Sequence, residues 1–297
     1  MEKACIYQVT NSLMDLMMSY VIRTKNGKII VIDGGYLGED ITFFMDILKE
    51  ASGSDTPVID AWFLTHMHQD HMTAVAMLME RFGKDVTVKK MYFNFPDRKF
   101  MSRVEGGNSY YVYDPFEKAY DSIFGPGSLH AANAKTCFAG DKIVLDDNCV
   151  MDVLLVMCPE QTENNINDTS SVFRLTIDGQ TILFLGDSYV NAGQRLLDKY
   201  GKELKSDIVQ MAHHGQSGVR LDVYEAIAPK MCLWPTPTWV YDNRNGNLQT
   251  LEVRSWIHDM GIEYNTVTGV HGTVCYSLPI DFDKIDKYDV AVPTANS

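Results

Sequence analysis

Residues 65–71 read Thr-His-Met-His-Gln-Asp-His and place three imidazoles and one carboxylate within a single heptad. Neutral imidazoles and carboxylates are ligands of Zn²⁺ and of similar divalent metals. On a turning backbone, His66 and His68 can face one ion while Asp70 and His71 face another. The alternative, histidines that only pack, is disfavoured because four polar groups at one strand exit cannot all be satisfied by packing. The heptad therefore predicts a metal site.

Two later groups are placed to complete a site for two metals. Asp187 ends the apolar run Phe-Leu-Gly-Asp, and His213 and His214 precede Gly215 directly after the next apolar run. Ligands of α/β proteins gather where strands end at one edge of a sheet. A Gly-Asp alone is unspecific and a His-His-Gly alone is moderately specific, but the ordered set of all three is a strong indication.

Alternating strands and helices must position these groups. Apolar runs and turn residues predict strands over residues 18–24, 28–33, 61–64, 86–93, 171–177, 180–185, 207–211, 230–234 and 267–278. Helical spacing covers residues 39–51, 71–82, 191–205 and 248–261. Asn26-Gly27 and Asp178-Gly179 predict hairpin turns.

The aromatic-rich segment 94–140 breaks the alternation. It is either an insertion that covers substrate or forms a dimer contact, or a cluster packed under a long loop.

Composition restricts the class of protein. The 297 residues have 45% hydrophobic and 22% charged content, which indicates a globular chain. No apolar run approaches the roughly 18 residues that span a bilayer, so we expect a cytoplasmic protein. Six scattered cysteines without a C-x-x-C pair are expected to be reduced core residues. The net charge of −13 disfavours a long nucleic acid as partner. The candidates for a local basic cluster are Lys89, Lys90, Arg98, Lys99 and Arg103.

The ordered set of motifs resembles the metallo-β-lactamase superfamily, whose signature is H-x-H-x-D-H followed by a downstream Asp and a last His. The resemblance implies an α/β fold, the αββα four-layer sandwich, with two metals at the strand ends. More narrowly, residues 167–172 and the opening Asp33-Gly34-Gly35 resemble the branch of ComEC/Rec2 competence proteins and the pneumococcal phosphorylcholine esterase. The likeness covers roughly residues 18–278, within a single domain expected over residues 1–297.

The resemblance and the ligand chemistry together imply roles for the site residues. The expected metal ligands are His66, His68, Asp70, His71, Asp187 and His214. His66 and His68 share one ion, and Asp187 bridges both ions with its two oxygens. His214 is favoured as the ligand and His213 as the donor to charge that develops on the substrate, although the reverse stays open. The expected catalytic residues are His213, Asp70 and Asp187. The expected cofactor is a pair of divalent ions, with Zn favoured and Mn or Fe as alternatives.

Two positions depart from the superfamily pattern or stand apart from it. Asn167 lies where most superfamily hydrolases carry a third histidine, and an amide oxygen is a weaker ligand than an imidazole. We therefore expect the ion held by His66 and His68 to be the more exchangeable one, with Asn167 as a weak metal or substrate contact. His271 is either a leaving-group acid that reaches the site or an ordinary surface or core histidine.

The function these residues favour is a metal-dependent hydrolase that uses a hydroxide activated by two metals. The favoured substrate is a small phosphoester, and among phosphoesters a phosphodiester is preferred. The alternatives are a lactonase- or lactamase-type hydrolase of C–O or C–N bonds and a non-catalytic metal-binding domain. The expected partner is the small-molecule substrate, with no membrane partner; a homodimer stays open.

Overall fold

The computed structural model describes residues 3–11, 15–35, 41–97, 99–100, 133–160 and 166–292. The strands are β1 Ala4–Gln8, β2 Ser19–Arg23, β3 Ile29–Asp33, β4 Val58–Phe63, β5 Thr87–Val88, β6 Met91–Phe93, β7 Ala134–Thr136, β8 Lys142–Asp146, β9 Cys149–Leu155, β10 Val172–Ile177, β11 Gln180–Phe184, β12 Ile208–Gln210, β13 Met231–Trp234, β14 Tyr264–Val267 and β15 Val274–Leu278. The helices are α1 Thr42–Ser52, α2 Gln69–Phe82, α3 Val190–Tyr200, α4 Leu221–Ile227, α5 Thr238–Tyr241, α6 Thr250–Asp259 and α7 Thr268–His271.

The first sheet has the strand order β15-β1-β2-β3-β4-β6-β7, with β5 also paired to β4. Its strands β3, β4, β6 and β7 run parallel, and the neighbours on the β15 side are antiparallel. The hairpin of β2 and β3 turns at the predicted Asn26-Gly27, where Gly27 has a φ of 81°. The parallel half matters most, because its strands end together at one edge.

The second sheet has the order β14-β13-β12-β11-β10-β9-β8, and β11 to β14 run parallel. The hairpin of β10 and β11 turns at Asp178 and Gly179, whose φ angles of 46° and 86° are typical of a type I′ turn. Both sequence-predicted hairpins are therefore confirmed.

Alternation along the strands produces three apolar layers. Tyr20, Phe63 and Phe184 face the interior between the two sheets. On the outer face of the first sheet, α1 and α2 pack against side chains such as Trp62. On the outer face of the second sheet, α3, α4 and α6 cover residues such as Val209. The expected α/β fold with four αββα layers is confirmed.

Two predicted strands were wrong in extent. Residues 86–93 form the short strands β5 and β6, which pair with different parts of β4 on either side of Lys89-Lys90. Residues 267–278 are not one strand, because β14 belongs to the second sheet and β15 to the first. The short helix α7 and Gly272, with a φ of 70°, carry the chain between the sheets. Residues 267–278 are rich in β-forming residues throughout, so their composition gives no sign that the chain passes from one sheet to the other.

Part of the aromatic-rich segment 94–140 lies outside the described residues, namely 98 and 101–132. Of its described part, residues 134–136 add β7 to the edge of the first sheet, and Phe95 packs against Met67, Met72 and Ile166. Of the proposed basic cluster, Lys89 forms an ion pair with Asp60, while Arg98 and Arg103 lie outside the described residues. The single domain over residues 1–297 stays a prediction.

In the part of the chain that the structure describes, none of the helices has the length and apolar character needed to cross a membrane.

Candidate metal centre

The chain brings the three predicted motifs together where parallel strands of both sheets end. From the first sheet, β4 ends at Phe63 and leads into the heptad. From the second sheet, β11 leads to Asp187 and β12 leads to His213 and His214. The two sheets face each other, so their carboxyl ends form opposite walls of one site.

One set of donor atoms comes from His66, His68 and Asp187, all within 4.8 Å of one another. His66 Nε2 lies 2.9 Å from His68 Nδ1 and 3.7 Å from Asp187 Oδ2. The His66 and Asp187 side chains are almost fully buried. These are the two histidines and the bridging carboxylate that the sequence assigns to one ion.

A second set comes from Asp70, His71, Asp187 and His214, again within 4.8 Å. Asp187 Oδ1 lies 3.1 Å from His71 Nε2 and 3.7 Å from His214 Nε2. Asp70 Oδ2 lies 3.1 Å from His214 Nε2. Asp187 thus directs one oxygen to each set, which is the arrangement expected of a ligand shared by two ions.

These donors fit divalent metal ions. His71 Nε2, His214 Nε2 and Asp187 Oδ1 are buried and make no hydrogen bond of good geometry with the described residues. Buried polar atoms without partners are costly, so several of them converging on one point indicate a ligand. Imidazole nitrogens and carboxylate oxygens suit Zn, Mn or Fe, and they do not distinguish among these metals.

Asp33, at the end of β3, orients His71 directly and His66 through Thr65, at the ring nitrogens that do not face the donor sets. Its carboxylate accepts hydrogen bonds from Thr65 N at 2.7 Å and Thr65 Oγ1 at 2.8 Å, and its Oδ2 lies 2.8 Å from His71 Nδ1. His71 therefore carries its proton on Nδ1 and directs Nε2 at the site. Because Thr65 Oγ1 donates to Asp33, it can accept from His66 Nδ1 at 3.2 Å, which fixes His66 in the same way.

His214 is oriented by a backbone carbonyl. Its Nδ1 donates to the Pro235 carbonyl at 2.8 Å, which leaves Nε2 for the metal set. His213 and His214 both have left-handed backbones, with φ angles of 49° and 56°. This conformation is strained for residues with side chains and is typical of functional sites. The next residue must be Gly215, because a Cβ there would lie 2.4 Å from the Trp234 ring.

His213 points to a different set of partners. Its Nδ1 contacts the Ser217 carbonyl, and its Nε2 lies 3.3 Å from Asn167 Nδ2. A carbonyl accepts only, so Nδ1 carries the proton and Nε2 of the neutral ring accepts from the Asn167 amide. The Tyr189 ring lies beside it, with centroids 5.7 Å apart. The structure therefore separates His213 from the two donor sets and places Asn167 next to it.

His271 is not in either donor set. It is exposed in α7, and its ring contacts Tyr288 edge-on with centroids 4.7 Å apart. Its Nδ1 lies 3.0 Å from both Val267 N and Val267 O of the same turn. Of the two alternatives, these contacts favour an ordinary surface histidine.

Comparison with known proteins agrees with this architecture. A family model of the metallo-β-lactamase superfamily matches residues 18–132. The metallo-β-lactamase fold protein YhfI from Bacillus subtilis superposes with a TM-score of 0.55 at 12% identity, over 93% of this chain and 100% of that one. This chain has the metallo-β-lactamase fold.

The diiron β-hydroxylase CmlA from Streptomyces venezuelae shares the metallo-β-lactamase fold with this chain at a TM-score of 0.56 and 12% identity. The match covers 93% of this chain but 54% of CmlA, so this chain corresponds to about half of that protein. No curated protein matches the sequence at a significant level. The family model thus matches part of the chain, and the two solved structures share its fold. The ComEC-like and phosphorylcholine-esterase-like branch stays a prediction.

Within the metallo-β-lactamase fold, Gln210 is a positioning residue that the sequence does not single out. Its buried Oε1 accepts from Leu185 N at 2.7 Å and Gly186 N at 2.8 Å, while its Nε2 donates to Gly186 O and Met211 O. It therefore joins the loop that carries Asp187 to the end of β12. The only sequence signal is an amide within a run of apolar residues.

The run at residues 167–172 supports the same loop. Ser170 Oγ accepts from Asp187 N at 3.1 Å, and Asp168 Oδ1 accepts from Tyr189 N and Ala192 N at the start of α3. A carboxylate at a helix N-terminus satisfies free N–H groups and opposes the helix dipole. Ser170 and Asp168 therefore help to position Asp187. The run has this supporting role in addition to placing Asn167 where most superfamily hydrolases carry a third histidine.

The Gly-Gly after Asp33 allows the helix α2 to approach the sheet. Gly34 N donates to His71 O at 2.7 Å, and a Cβ on Gly35 would overlap the Asp70 carbonyl at 1.5 Å. Any larger residue at position 35 would displace Asp70 and His71, which explains the Asp-Gly-Gly opening in physical terms.

Charges within the cluster set the protonation of its members. Burial opposes charge on His71, but the Asp187 and Asp33 carboxylates outweigh it and hold the pKa of His71 well above its usual range. The pKa of His214 is raised in the same way, by Asp187 and Asp70 against burial. Burial lowers the pKa of His66 and of His68, so these two histidines are neutral at pH 7.

This difference predicts a pH dependence of metal stabilisation. Protons on His71 and His214 compete with metal, and their pairs with carboxylates stabilise the metal-free fold below the unfolded pKa of histidine, near 6.5. That contribution is lost as pH rises through the raised folded pKa, where metal binding gains its ligands. We expect the rise in Tm caused by Zn²⁺ to grow between pH 6 and pH 8. A Zn²⁺ effect on Tm that stays constant over this range would contradict the assignment.

Exchanging the two adjacent histidines for alanine tests which one binds metal. We expect His214→Ala to lose metal from the Asp70–His71 set, because its Nε2 belongs to that set. His213→Ala is expected to keep the metal content of the unaltered protein while activity falls. Metal analysis of both purified variants measures this difference. Loss of metal in His213→Ala alone would reverse the assignment.

Gln210→Leu tests whether Gln210 links the loop that carries Asp187 to the end of β12. We expect a loss of about 2–4 kcal/mol in the free energy of unfolding, because several buried backbone groups lose their partners, together with weaker metal binding. Gln180→Leu is the matched control. That buried amide bonds to Ile280 N and O, away from the metal centre. The control is expected to lose stability but keep its metal affinity; equal metal affinities in both variants would contradict the role of Gln210.

Proposed function

We propose that this protein is a metal-dependent hydrolase of small phosphoesters and that its preferred substrates are phosphodiesters. The observation that carries the proposal is Asp187, whose two carboxylate oxygens face two separate sets of donors. A shared carboxylate is the usual bridge in sites that hold two cations for hydrolysis of phosphoesters.

The donor sets would hold two divalent ions, with His66, His68 and Asp187 around one and Asp70, His71, Asp187 and His214 around the other. When bound, such a pair makes hydroxide available near neutral pH and offsets the negative charge of a phosphoester. The protein itself supplies rigid orientation: Asp33 holds His71 and, through Thr65, His66. Burial of these side chains strengthens every charge interaction within the site.

His213 is the residue of this chain best placed to contact the substrate beside the donor sets. Its Nδ1–H is committed to the Ser217 carbonyl, so it donates from Nε2 only when the ring carries both protons. Asn167 Nδ2 lies at that same Nε2 and orients it. In the proposed reaction, a His213 ring that carries both protons presents its Nε2–H to the anionic oxygens of the substrate, in place of the hydrogen bond that the neutral ring accepts from the Asn167 amide. Asn167 lies beside this position as the weak substrate contact expected from the sequence.

The net charge of the chain restricts the size and charge of the substrate. A chain with a net charge of −13 repels a long polyanion, whereas a small phosphodiester brings a single charge to the site. The ComEC-like branch, zinc as the native metal and the cytoplasmic location are further parts of this proposal that rest on the sequence. CmlA is described as a diiron enzyme, and for that reason iron belongs among the metals tested.

The direct test is hydrolysis of bis-p-nitrophenyl phosphate by metal-depleted protein reloaded with Zn²⁺, Mn²⁺ or Fe²⁺. We expect turnover with at least one metal, lower turnover of the monoester p-nitrophenyl phosphate, and loss of both on chelation. Turnover of lactone or β-lactam substrates without turnover of phosphoesters would favour a hydrolase of C–O or C–N bonds. Bound metal without turnover of any substrate would favour a non-catalytic metal-binding domain.

A further inference from the structure

The turn that carries His214 has an unfavourable backbone conformation. His213, His214 and Gly215 are three consecutive residues with left-handed φ angles of 49°, 56° and 75°. This conformation is costly for residues that carry a Cβ, so it persists only where surrounding contacts hold it. The position of His214 Nε2 in its donor set therefore depends on residues outside that set.

The end of β13 and the two residues after it supply contacts that hold this turn. The Pro235 carbonyl accepts from His214 Nδ1 at 2.8 Å, and Thr236 Oγ1 donates to the His214 carbonyl at 2.6 Å. The six-membered ring of the Trp234 indole lies so close to Gly215 that a Cβ there would be 2.4 Å from it. A shift of these three residues would therefore move His214.

Trp234 is in turn oriented by Asn265 on the neighbouring strand β14. The indole Nε1–H donates to Asn265 Oδ1 at 3.0 Å, and both side chains are buried. Asn265 Nδ2 donates to the carbonyls of Ile262 at 2.9 Å and Tyr288 at 2.7 Å. An amide whose oxygen and both N–H groups are engaged has a single orientation. The edge of the indole that bears Nε1 is therefore fixed, and the opposite edge faces Gly215.

A buried arginine supports the same indole from the C-terminal part of the chain. Arg254 on α6 donates to the carbonyls of Val290 at 2.9 Å and Ala291 at 2.7 Å. Its guanidinium lies 4.0 Å from the centroid of the Tyr241 ring. That ring meets Trp234 at 90°, with centroids 6.4 Å apart. The indole thus has a second support, which leaves the hydrogen bond at Nε1 as the contact that sets its rotation.

The residue opposite Asn265 on β13 is Cys232, whose thiol is buried. A thiol is a weak hydrogen-bonding group, so it does not replace the bonds of the amide. The other cysteines are divided between core and surface, contrary to the expectation from the sequence: Cys137 and Cys149 are buried, Cys5 and Cys158 are half-buried, and Cys275 is exposed.

We propose that Asn265 is a positioning residue for the metal ligand His214 and that it acts through Trp234. Loss of the amide would let the indole rotate, weaken the support of the left-handed turn and move His214 Nε2 away from Asp70 and His71. The set formed by His66, His68 and Asp187 does not contain His214, so it would keep its geometry. The proposal rests on metal binding by the two sets, as in the proposed function, but it does not require turnover of a phosphoester.

The test compares Asn265→Leu with Gln180→Leu by titration of metal-depleted, full-length protein with Zn²⁺. Both changes remove a buried amide that bonds to backbone groups of the C-terminal part of the chain. Gln180, however, bonds to Ile280 at the start of β11, the end of that strand away from Asp187. We expect Asn265→Leu to weaken one of the two binding steps about 10-fold and to leave the other unchanged. Gln180→Leu is expected to lower the Tm and to keep both affinities.

Trp234→Phe tests the same mechanism in a protein that keeps an aromatic ring at this position. Phenylalanine has no Nε1–H to bond with Asn265, so we expect the same binding step to weaken. Trp256→Phe is the matched control, because Trp256 packs against the same apolar layer from α6. In the double variant of Asn265→Leu with Trp234→Phe, we expect the losses not to add, since both act through one ring.

Unchanged affinity for both ions in Asn265→Leu would overturn the proposal and leave the metal centre in place. Equal losses in both binding steps would also overturn it, because they would mean a general effect on the fold. Additive losses in the double variant would exclude Trp234 as the intermediate. An unaltered protein that binds no divalent ion would overturn the proposed function together with this proposal, whereas normal Zn²⁺ binding without turnover would count against the hydrolase alone.

Discussion

Asp187→Asn is expected to lower phosphoester hydrolysis by roughly 10³-fold or more and to reduce the metal content of both donor sets. The amide has nearly the same shape as the carboxylate, so the loop keeps its bond from Asp187 N to Ser170 Oγ. It lacks the negative charge and the second anionic oxygen that the two sets share. Steady-state rates and metal analysis on the same preparation measure the effect.

Asp178→Asn provides the control for this experiment. Asp178 is also a carboxylate of the second sheet, but it lies in the β10–β11 turn and pairs with Lys25 at 2.8 Å. Asparagine tolerates its left-handed φ of 46°. We expect this variant to keep full activity and metal. If Asp187→Asn retained one metal in each set with normal turnover, the shared-carboxylate assignment would be wrong.

Asp33→Asn is expected to have the second largest effect, although Asp33 is not a metal ligand in either set. The change leaves an amide facing Thr65 N, Thr65 Oγ1 and His71 Nδ1, which together supply three donors. We expect metal affinity to fall about 10–100-fold and the free energy of unfolding to fall by about 2–4 kcal/mol. Metal titration and denaturant unfolding measure the two effects separately. Asparagine tolerates the φ of 52° at this position, so backbone strain does not confuse the result.

Asp60→Asn is the matched control for Asp33. Asp60 also joins β3 and β4, because its Oδ2 accepts from Ile29 N at 3.1 Å, but it lies toward the opposite end of these strands and binds Lys89. We expect a small loss of stability and no change in metal affinity. Equal metal affinities for Asp33→Asn and the unaltered protein would mean that His71 is oriented without Asp33.

The ligands were predictable because their signals are local or ordered. His66, His68, Asp70 and His71 fall within one heptad, and Asp187 and His214 follow predicted strands. The structure brings all six into two adjacent sets, although their roles as ligands stay predictions. The preference for His214 over His213 agrees with the placement of the two rings, because only His214 belongs to a donor set.

The supporting residues were not predictable in the same way. Asp33 acts on His71, 38 residues away, and Gln210 acts on Gly186, 24 residues away, and neither pair forms a motif. Their signal is only a polar residue in or at the end of an apolar strand, which many unrelated positions share. The sheet change between β14 and β15 was missed for a related reason: strand composition indicates burial but does not say which sheet a strand joins.

The pairing of β1 with β15 determines when the first sheet can be completed. Ala4 lies opposite Leu278, so this contact joins residues separated by nearly the whole described chain. Contacts of such sequence separation form late and slow folding, because a long loop must close first. During synthesis, the backbone groups of β1 that pair with β15 therefore stay unpaired until β15 has left the ribosome. In the full chain β15, and not β1, is the edge strand on this side of the sheet. Chains stopped before residue 274 leave β1, most of whose residues are buried in the complete fold, as that edge, and we expect them to aggregate more readily than the full chain.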